Sequence, residues 1–360
     1  MINLNIEERL NLIRSVGEEI VTEEEMLELL EAKKNFVAYD GFEPSGQVHI
    51  AQGILRAINI NKMIKAGARF NVLVADWHGW ANNKLGGNLE NIQTAGKYLI
   101  EVWRLTGMDL KNIKFLWASD FAQNDAYWKL VMQIARNSTL KRIIRTAQIM
   151  GRSESNTLQA SQILYPCMQC ADIFWQDVDV TQLGMDQRKV NMLAREVGPK
   201  LFGTKPIVIS HHMVRGLNPP KESYASVEEK VLDLKMSKSN PDAAIFMTDS
   251  EAEVKRKIQK AYCPESVGDN PILEYIQYFI FEKYDRLKVE RPIKFGGDIE
   301  FVSYFDLENA YLNNEIHPAD LKNTVAFYLN KMIQPVRKAF ETDSKLKDLR
   351  EQVLNFPVTR

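Results

Sequence analysis

Between residues 36 and 210 short apolar runs alternate with helical periods, and that alternation leaves few folds open. The runs at 36–42, 70–75, 113–118, 178–183 and 206–210 are too short for helices and read as strands. The stretches 50–65, 89–106, 122–136 and 187–197 carry apolar residues at helical spacing. Parallel neighbouring strands need a crossover, so this rhythm predicts an α/β, Rossmann-like, mainly parallel sheet with helices on both faces. In such sheets the ligand crevice opens at the carboxyl ends of the strands. A helical stretch at 140–175 interrupts the rhythm and predicts an insertion between the two halves of the sheet, within a connective segment of about 120–165. From 251 onward the pattern is almost wholly helical. The expected boundary therefore lies near 245, with an α/β unit over 1–245, including an N-terminal helical segment, and an all-helical unit over 246–360.

Two stretches fall at informative places on that frame. Pro44-Ser45-Gly46-Gln47-Val48-His49-Ile50-Ala51-Gln52-Gly53 puts small turn residues and a histidine at the first strand-to-helix junction. Free backbone N–H groups and the positive helix end favour phosphate there. Lys235-Met236-Ser237-Lys238-Ser239, in a loop over 221–245, packs two lysines and two hydroxyls into five residues. Such a loop can close on a triphosphate and neutralise the charge that appears on pyrophosphate as it leaves. Either stretch alone is more simply a solvated loop or a packed histidine. Together, in this order, they predict the two halves of one ATP site.

Composition agrees with a folded protein that can bury a sizeable core: 45% of the 360 residues are hydrophobic and 26% charged. No apolar stretch approaches the ~18 residues needed to cross a bilayer, and the acidic, helix-prone first thirty residues show no signal-peptide pattern. The expected compartment is the cytosol. A net charge of −1 gives no global pull toward nucleic acid. Lys129, Arg136, Lys141, Arg142 and Arg145 form a local basic patch that also fits a solvated helix face. Cys167 and Cys170 form a lone C-x-x-C without two further ligands nearby, so they are expected to be packed side chains and no metal site is expected.

The two stretches resemble the HIGH and KMSKS signatures of class I aminoacyl-tRNA synthetases, the first degenerate (His49-Ile50-Ala51-Gln52) and the second complete. Three further segments are similar to tyrosyl-tRNA synthetases of the archaeal and eukaryotic type: Tyr39-Asp40-Gly41-Phe42-Glu43-Pro44-Ser45-Gly46, Tyr165-Pro166-Cys167-Met168-Gln169-Cys170-Ala171-Asp172 and Gly184-Met185-Asp186-Gln187-Arg188-Lys189. The resemblance implies activation of L-tyrosine with ATP to tyrosyl-adenylate and pyrophosphate, followed by transfer to the 3′-terminal adenosine of tRNA(Tyr). It implies that Tyr39 and Asp172 bind the phenol, that Tyr165, Gln169 and Gln187 hold the α-amino group, and that Glu43 borders that end. It places Gly41, Pro44, Ser45, Gly46, His49, Gln52, Gly184, Asp186, Lys235, Met236, Ser237 and Lys238 around ATP. His49, Gln52, Lys235, Lys238 and Ser239 form the implied catalytic set, and magnesium arrives with ATP.

The residue types suit those roles. Tyr165, Gln169 and Asp172 stand at i, i+4 and i+7, so one helix face can present all three to one ligand. A phenol needs a donor and an acceptor, whereas the indole of tryptophan offers only a donor. The Tyr39 and Asp172 pair therefore favours tyrosine over tryptophan, the substrate of the nearest alternative in the same class. Gln52 stands where the second HIGH histidine would be and carries no charge. A non-catalytic tRNA-binding relative is the alternative from another class, and the intact His49, Lys235 and Lys238 argue against it. A small nucleotidylyltransferase would account for the His49 region but for neither the lysine loop nor the helical C-terminal part.

The C-terminal part carries its own resemblance, at Arg291-Pro292-Ile293-Lys294-Phe295-Gly296-Gly297-Asp298 and Ile316-His317-Pro318-Ala319-Asp320-Leu321-Lys322-Asn323. These are similar to segments that read the anticodon. The resemblance implies that Phe295 stacks on the first anticodon base while Asp320, with His317 beside it, bonds its edge. From the residues alone, His-Pro-x-Asp also fits a plain helix start. Arg188 is the implied reader of the first acceptor-stem pair, and a homodimer joined through residues 120–151 is the implied assembly.

Overall fold

The computed structural model describes residues 4–151, 158–224, 230, 233–236, 238 and 240–357, so Ser237 and Ser239 lie outside the described residues. Strand β1 (Gly17–Val21), β2 (Phe36–Phe42), β3 (Ala68–Val74), β4 (Ile113–Trp117), β5 (Val180–Gly184) and β6 (Ile207–His211) form one sheet in the order β1-β6-β5-β2-β3-β4. All pairings are parallel except the edge pair of β1 with β6. The five strands expected from the sequence are present within a residue or two of their expected ends. The antiparallel edge strand β1 is a correction: its Gly-Glu-Glu-Ile-Val sequence lies in a stretch expected to be helical and has no apolar run to mark it.

Chain order explains where the site lies. From β2 the sheet grows outward through β3 to β4 on one side, whereas β5 and β6 lie on the other. The order therefore reverses between β2 and β5, which pair at Ala38 with Val180 and Tyr39 with Thr181. A crevice opens beyond the carboxyl ends of two strands whose chains depart in opposite directions. Every residue of β5 and β6 is buried, as expected for strands covered on both faces.

Strand β2 divides its side chains between two cores. Phe36, Ala38 and Phe42 join one cluster, and Tyr39 joins another with Leu73, Leu183 and the buried residues of the insertion. The insertion, expected as one helical run, comprises among the described residues α-helix Leu140–Thr146, a tight turn Ala147–Met150 and α-helix Ala160–Trp175. Cys167 and Cys170 are buried inside the last of these with free thiols. Burial pushes the Cys167 thiol up to about 11, which keeps it protonated and inert. Within the basic patch, Arg142 is committed to Glu196 at 2.7 Å.

The C-terminal region is predominantly helical, and its longest helix runs Pro318–Thr342. It also holds a two-stranded hairpin of Leu287–Val289 and Ile299–Phe301, too short to show as strands in the sequence. Its apolar residues continue the first core without a break, from Ile245 and Met247 through Ile276 to Phe340. The Tyr98 and Phe340 rings meet edge to face with centroids 5.1 Å apart. No helix among the described residues is long and apolar enough to cross a membrane.

Candidate active site

The first stretch turns immediately after β2. Gly46 adopts φ +106°, a conformation that side-chain-bearing residues rarely take, so the glycine permits the turn. After His49 the chain makes one wide π-turn over Ala51–Leu55 before α-helix Arg56–Lys65 begins. Such wide turns recur at functional sites. Residues Val48–Ile50 are gripped from outside by the segment around Phe246: Ile50 N donates to Ile245 O at 2.9 Å and Met247 N donates to Val48 O at 2.8 Å. Gly53 makes room for that segment, since a Cβ there would lie 2.5 Å from Met247 Sδ.

His49 is neutral. Burial, then Lys238, Arg56 and Lys235, push its imidazole well below 6.5. Its Nδ1 accepts from Gln52 N at 3.4 Å, so Nε2 carries the hydrogen and is a donor. Gln52 Oε1 is buried without a partner, and the backbone carbonyl of Gln52 accepts from Trp103 Nε1 at 2.8 Å.

The second stretch reaches across the crevice to the first. Lys238 Nζ donates to Ser45 Oγ at 3.0 Å, and Lys235 Nζ donates to Asp186 Oδ2 at 3.0 Å. Burial, followed by repulsion from Lys84, pushes the Lys238 ammonium down to about 7, partly offset by Glu43. Met236 is buried, with its backbone N bonded to Val214 O at 3.2 Å. The two lysines thus span the mouth between the Pro44–Gly46 turn and the end of β5.

The expected tyrosine-binding residues converge on the insertion side of β2. Asp172 is fully buried, its Oδ1 accepting from Tyr127 Oη at 2.8 Å and its Oδ2 lying 3.0 Å from His78 Nε2. Burial alone would lower the His78 pKa, but the Asp172 carboxylate overrides it and holds it above the ordinary value. Burial, then Asp172 and Asp40, push the Tyr39 phenol well up, so it remains a protonated donor. Its hydroxyl makes no hydrogen bond among the described residues and extends over Gly41, where a Cβ would come within 2.6 Å of it. Tyr165 is likewise held protonated by burial and then by Glu43, and its ring meets His78 edge to face at 5.2 Å. Gln169 Nε2 donates to Gln187 Oε1 at 3.2 Å, and Gln187 Nε2 donates to Ile149 O at 3.0 Å. This leaves Gln169 Oε1 buried and unpartnered, an acceptor awaiting a donor. Glu43 accepts from Asn82 Nδ2 at 3.1 Å and lies 3.7 Å from Lys84 Nζ.

Sequence reasoning missed His78 and Tyr127, both of which touch Asp172. His78 lies in Asp76-Trp77-His78-Gly79, directly beyond the end of β3, and Asp76 fixes that turn by accepting from Trp77 N and Ser119 N, each at 3.0 Å. Its place at a strand end beside the switch point was the available signal. It also missed a polar cluster under the end of β5. There Arg56 Nη1 lies 2.7 Å from His211 Nδ1, Gln182 Nε2 lies 2.6 Å from the same atom, and Arg56 Nε faces Asp40 Oδ2 at 3.5 Å. Asp40 is buried, and desolvation raises its carboxyl to about 7 despite Arg56.

Of the residues expected to touch RNA, Phe295, His317 and Asp320 belong to the C-terminal region, whereas Arg188 directly follows Gln187 beyond the end of β5. Phe295 is 61% exposed with Lys294 Nζ 4.8 Å from its ring centre. His317 is the N-cap of the Pro318–Thr342 helix, its Nδ1 accepting from Ala319 N at 3.1 Å, and Asp320 lies in the first turn. Arg188 is paired with Glu19 of β1 at 2.7 Å. No group of three or more His, Cys, Asp or Glu among the described residues is arranged to hold a metal ion.

A family model described as tRNA synthetases class I (W and Y) matches residues 31–334. A cytoplasmic tyrosine–tRNA ligase 1 of Arabidopsis thaliana is 49% identical, covering 99% of this chain and 90% of that protein. The tyrosine–tRNA ligase of Sulfurisphaera tokodaii is 42% identical, covering 98% of this chain and 98% of that protein. A crystal structure of the Pyrococcus horikoshii tyrosyl-tRNA synthetase complexed with L-tyrosine superposes with a TM-score of 0.90 at 38% identity, covering 97% of this chain and 100% of that one.

Proposed function

Because this chain belongs to the class I tyrosyl-tRNA synthetases, ligases that join tyrosine to tRNA, we propose a division of labour within the crevice for the activation of tyrosine by ATP. The observation that carries it is the Lys238 to Ser45 contact, which brings both signatures over the crevice whose inner end holds Tyr39 and Asp172. The substrate phenol donates to Asp172 and accepts from Tyr39. Gln169 Oε1 takes one hydrogen of the α-ammonium, with Tyr165, Gln187 and Glu43 around the remainder.

The tyrosine carboxylate is ionised at neutral pH, so its attack on the α-phosphorus of ATP needs no general base. Catalysis is then positioning and charge stabilisation. His49 donates its Nε2–H to a phosphate oxygen, Gln52 contacts the nucleotide beside it, and Gly41 and Pro44–Gly46 line the approach. Lys235 and Lys238 leave Asp186 and Ser45 to hold the departing pyrophosphate, with Met236 fixing their loop. Magnesium enters with ATP as part of the substrate. In the second step a hydroxyl of the terminal tRNA adenosine attacks the carbonyl carbon of tyrosyl-adenylate and AMP leaves.

We place the catalytic unit at 1–245 and the tRNA-reading unit at 246–360, with Phe295, His317 and Asp320 on the anticodon and Arg188 exchanging Glu19 for the acceptor stem. Two copies pair through residues 120–151, where Met132 and Leu140 remain 53% and 61% exposed. Cytoplasmic residence follows the Arabidopsis relative. The test is ATP–pyrophosphate exchange with tyrosine, tryptophan and phenylalanine in parallel. Exchange with tyrosine, and at least ~10³-fold less with either other amino acid, is expected; exchange with tryptophan alone overturns the phenol assignment.

A further inference from the structure

Gly184 ends β5 at the floor of the crevice, and the space its missing side chain leaves is occupied by three unlike atoms. A Cβ there would lie 2.5 Å from Met213 Sδ, 2.6 Å from Asp186 Oδ1 and 3.4 Å from His211 Nε2. A thioether, a carboxylate oxygen and an imidazole nitrogen therefore converge over one glycine. Asp186 spends its other oxygen on Lys235, which leaves Oδ1 as an acceptor.

The hydrogen on His211 can be assigned. Its Nδ1 faces Arg56 Nη1 at 2.7 Å and Gln182 Nε2 at 2.6 Å. The guanidinium nitrogen can only donate, so Nδ1 is the acceptor and Nε2 bears the hydrogen. Burial, then Arg56 and His212, keep the ring neutral. His211 is 2% exposed, and its Nε2 makes no hydrogen bond among the described residues. A fixed N–H donor and a carboxylate acceptor thus face one space beside a polarisable thioether. An alcohol both accepts and donates, and a purine ring packs well on a thioether.

We infer that His211 is a nucleotide-binding residue of this site: its Nε2–H donates to a ribose hydroxyl of ATP whose own hydrogen goes to Asp186, while Arg56 and Gln182 act as positioning residues that hold the tautomer. This rests on the tyrosine-activation reading above and adds a contact that neither signature contains. Sequence reading passed over His211 because a histidine closing a buried strand looks like a core residue.

His211→Asn separates the two roles of the ring. The asparagine Oδ1 can replace Nδ1 as acceptor for Arg56 and Gln182, while the donor on the crevice side is lost. Tyrosine-dependent exchange is measured with ATP, 2′-deoxyATP and 3′-deoxyATP for both chains. Losing one neutral hydrogen bond, His211→Asn should lower kcat/KM for ATP by about 3–10-fold, leave it unchanged for the nucleotide lacking the bound hydroxyl, and leave the KM for tyrosine unchanged. An equal fall for all three nucleotides, or no fall, overturns the assignment. Wild-type protein labelled with 15N-histidine supplies a readout that needs no variant. The His211 Nε2–H resonance should move on adding ATP and should stay in place with the deoxynucleotide that lacks its partner; the same movement with all three nucleotides overturns the contact. A wild type inactive with ATP would sink the underlying activation reading instead.

Discussion

Replacing Lys238 by alanine should slow tyrosyl-adenylate formation by about 10²–10³-fold, the cost of removing one preorganised stabiliser of developing charge. Tyrosine binding should be almost unaffected, because the proposed phenol and ammonium partners lie on other elements. The lysine is held ready in an awkward state: buried, close to Lys84 and hydrogen-bonded to Ser45, with its ammonium pushed down to about 7. A triphosphate brings negative charge to that place, which favours the protonated form and draws the lysine off Ser45. The free-enzyme pKa is what kcat/KM for ATP reports. For the wild type, kcat/KM for ATP should therefore fall as pH rises through about 7, because the deprotonated amine cannot neutralise phosphate. Lys238→Ala should be slow throughout and lose that limb. ATP–pyrophosphate exchange across pH, with equilibrium binding of tyrosine alongside, measures both. Wild-type exchange rates in the alanine variant would remove Lys238 from the mechanism.

The second large effect concerns which amino acid is chosen. Sites that pair a substrate hydroxyl reject the analogue lacking it by roughly 10⁴–10⁵, a magnitude established on a tyrosine enzyme of this very kind and carried over to this crevice as a general expectation. In the proposed site the pair is Tyr39 as donor and Asp172 as acceptor. Tyr39→Phe removes the donor and should cut the preference for tyrosine over phenylalanine by about 10-fold. Asp172→Asn should cut it more, by about 10²-fold, since it removes a charged acceptor and also disturbs two neighbours. Tyr127 can still donate to the amide oxygen, but His78 loses the carboxylate that keeps its pKa above the ordinary value, and burial then favours the neutral ring. Asp172→Ala is a poorer test, because it also leaves the buried Tyr127 hydroxyl and the His78 Nε2 facing no acceptor, at a cost of about 1–3 kcal/mol each. The measurement is kcat/KM for tyrosine and phenylalanine in each variant. An unchanged ratio in both would mean that the phenol binds elsewhere.

The parallel strands were legible because each is a compact apolar run, and the switch point follows from their order. β1 was not, because an edge strand needs only one buried face and its two glutamates mask it. Helical spacing put Tyr165, Gln169 and Asp172 on one helix face, and the Gln169–Gln187 bond brings in a residue from another element. His78, Tyr127 and His211 reach the crevice from three separate elements and carry no local pattern; only the tertiary fold puts them beside Asp172 and Asp186. Electrostatics was the least legible layer. Neutral His49, a lysine at about 7 and a buried Asp40 at about 7 all depend on desolvation that sequence does not display.

One measurement tests the map of the crevice most directly: a crystal structure of this chain with a non-hydrolysable sulfamoyl analogue of tyrosyl-adenylate. The phenol oxygen should lie within ~3.2 Å of both Tyr39 Oη and an Asp172 carboxylate oxygen, with the α-ammonium at Gln169 Oε1 and the sulfamoyl group facing His49 Nε2. An analogue bound in reverse, with its ammonium at Asp172 and its phenol toward Glu43, would contradict the account.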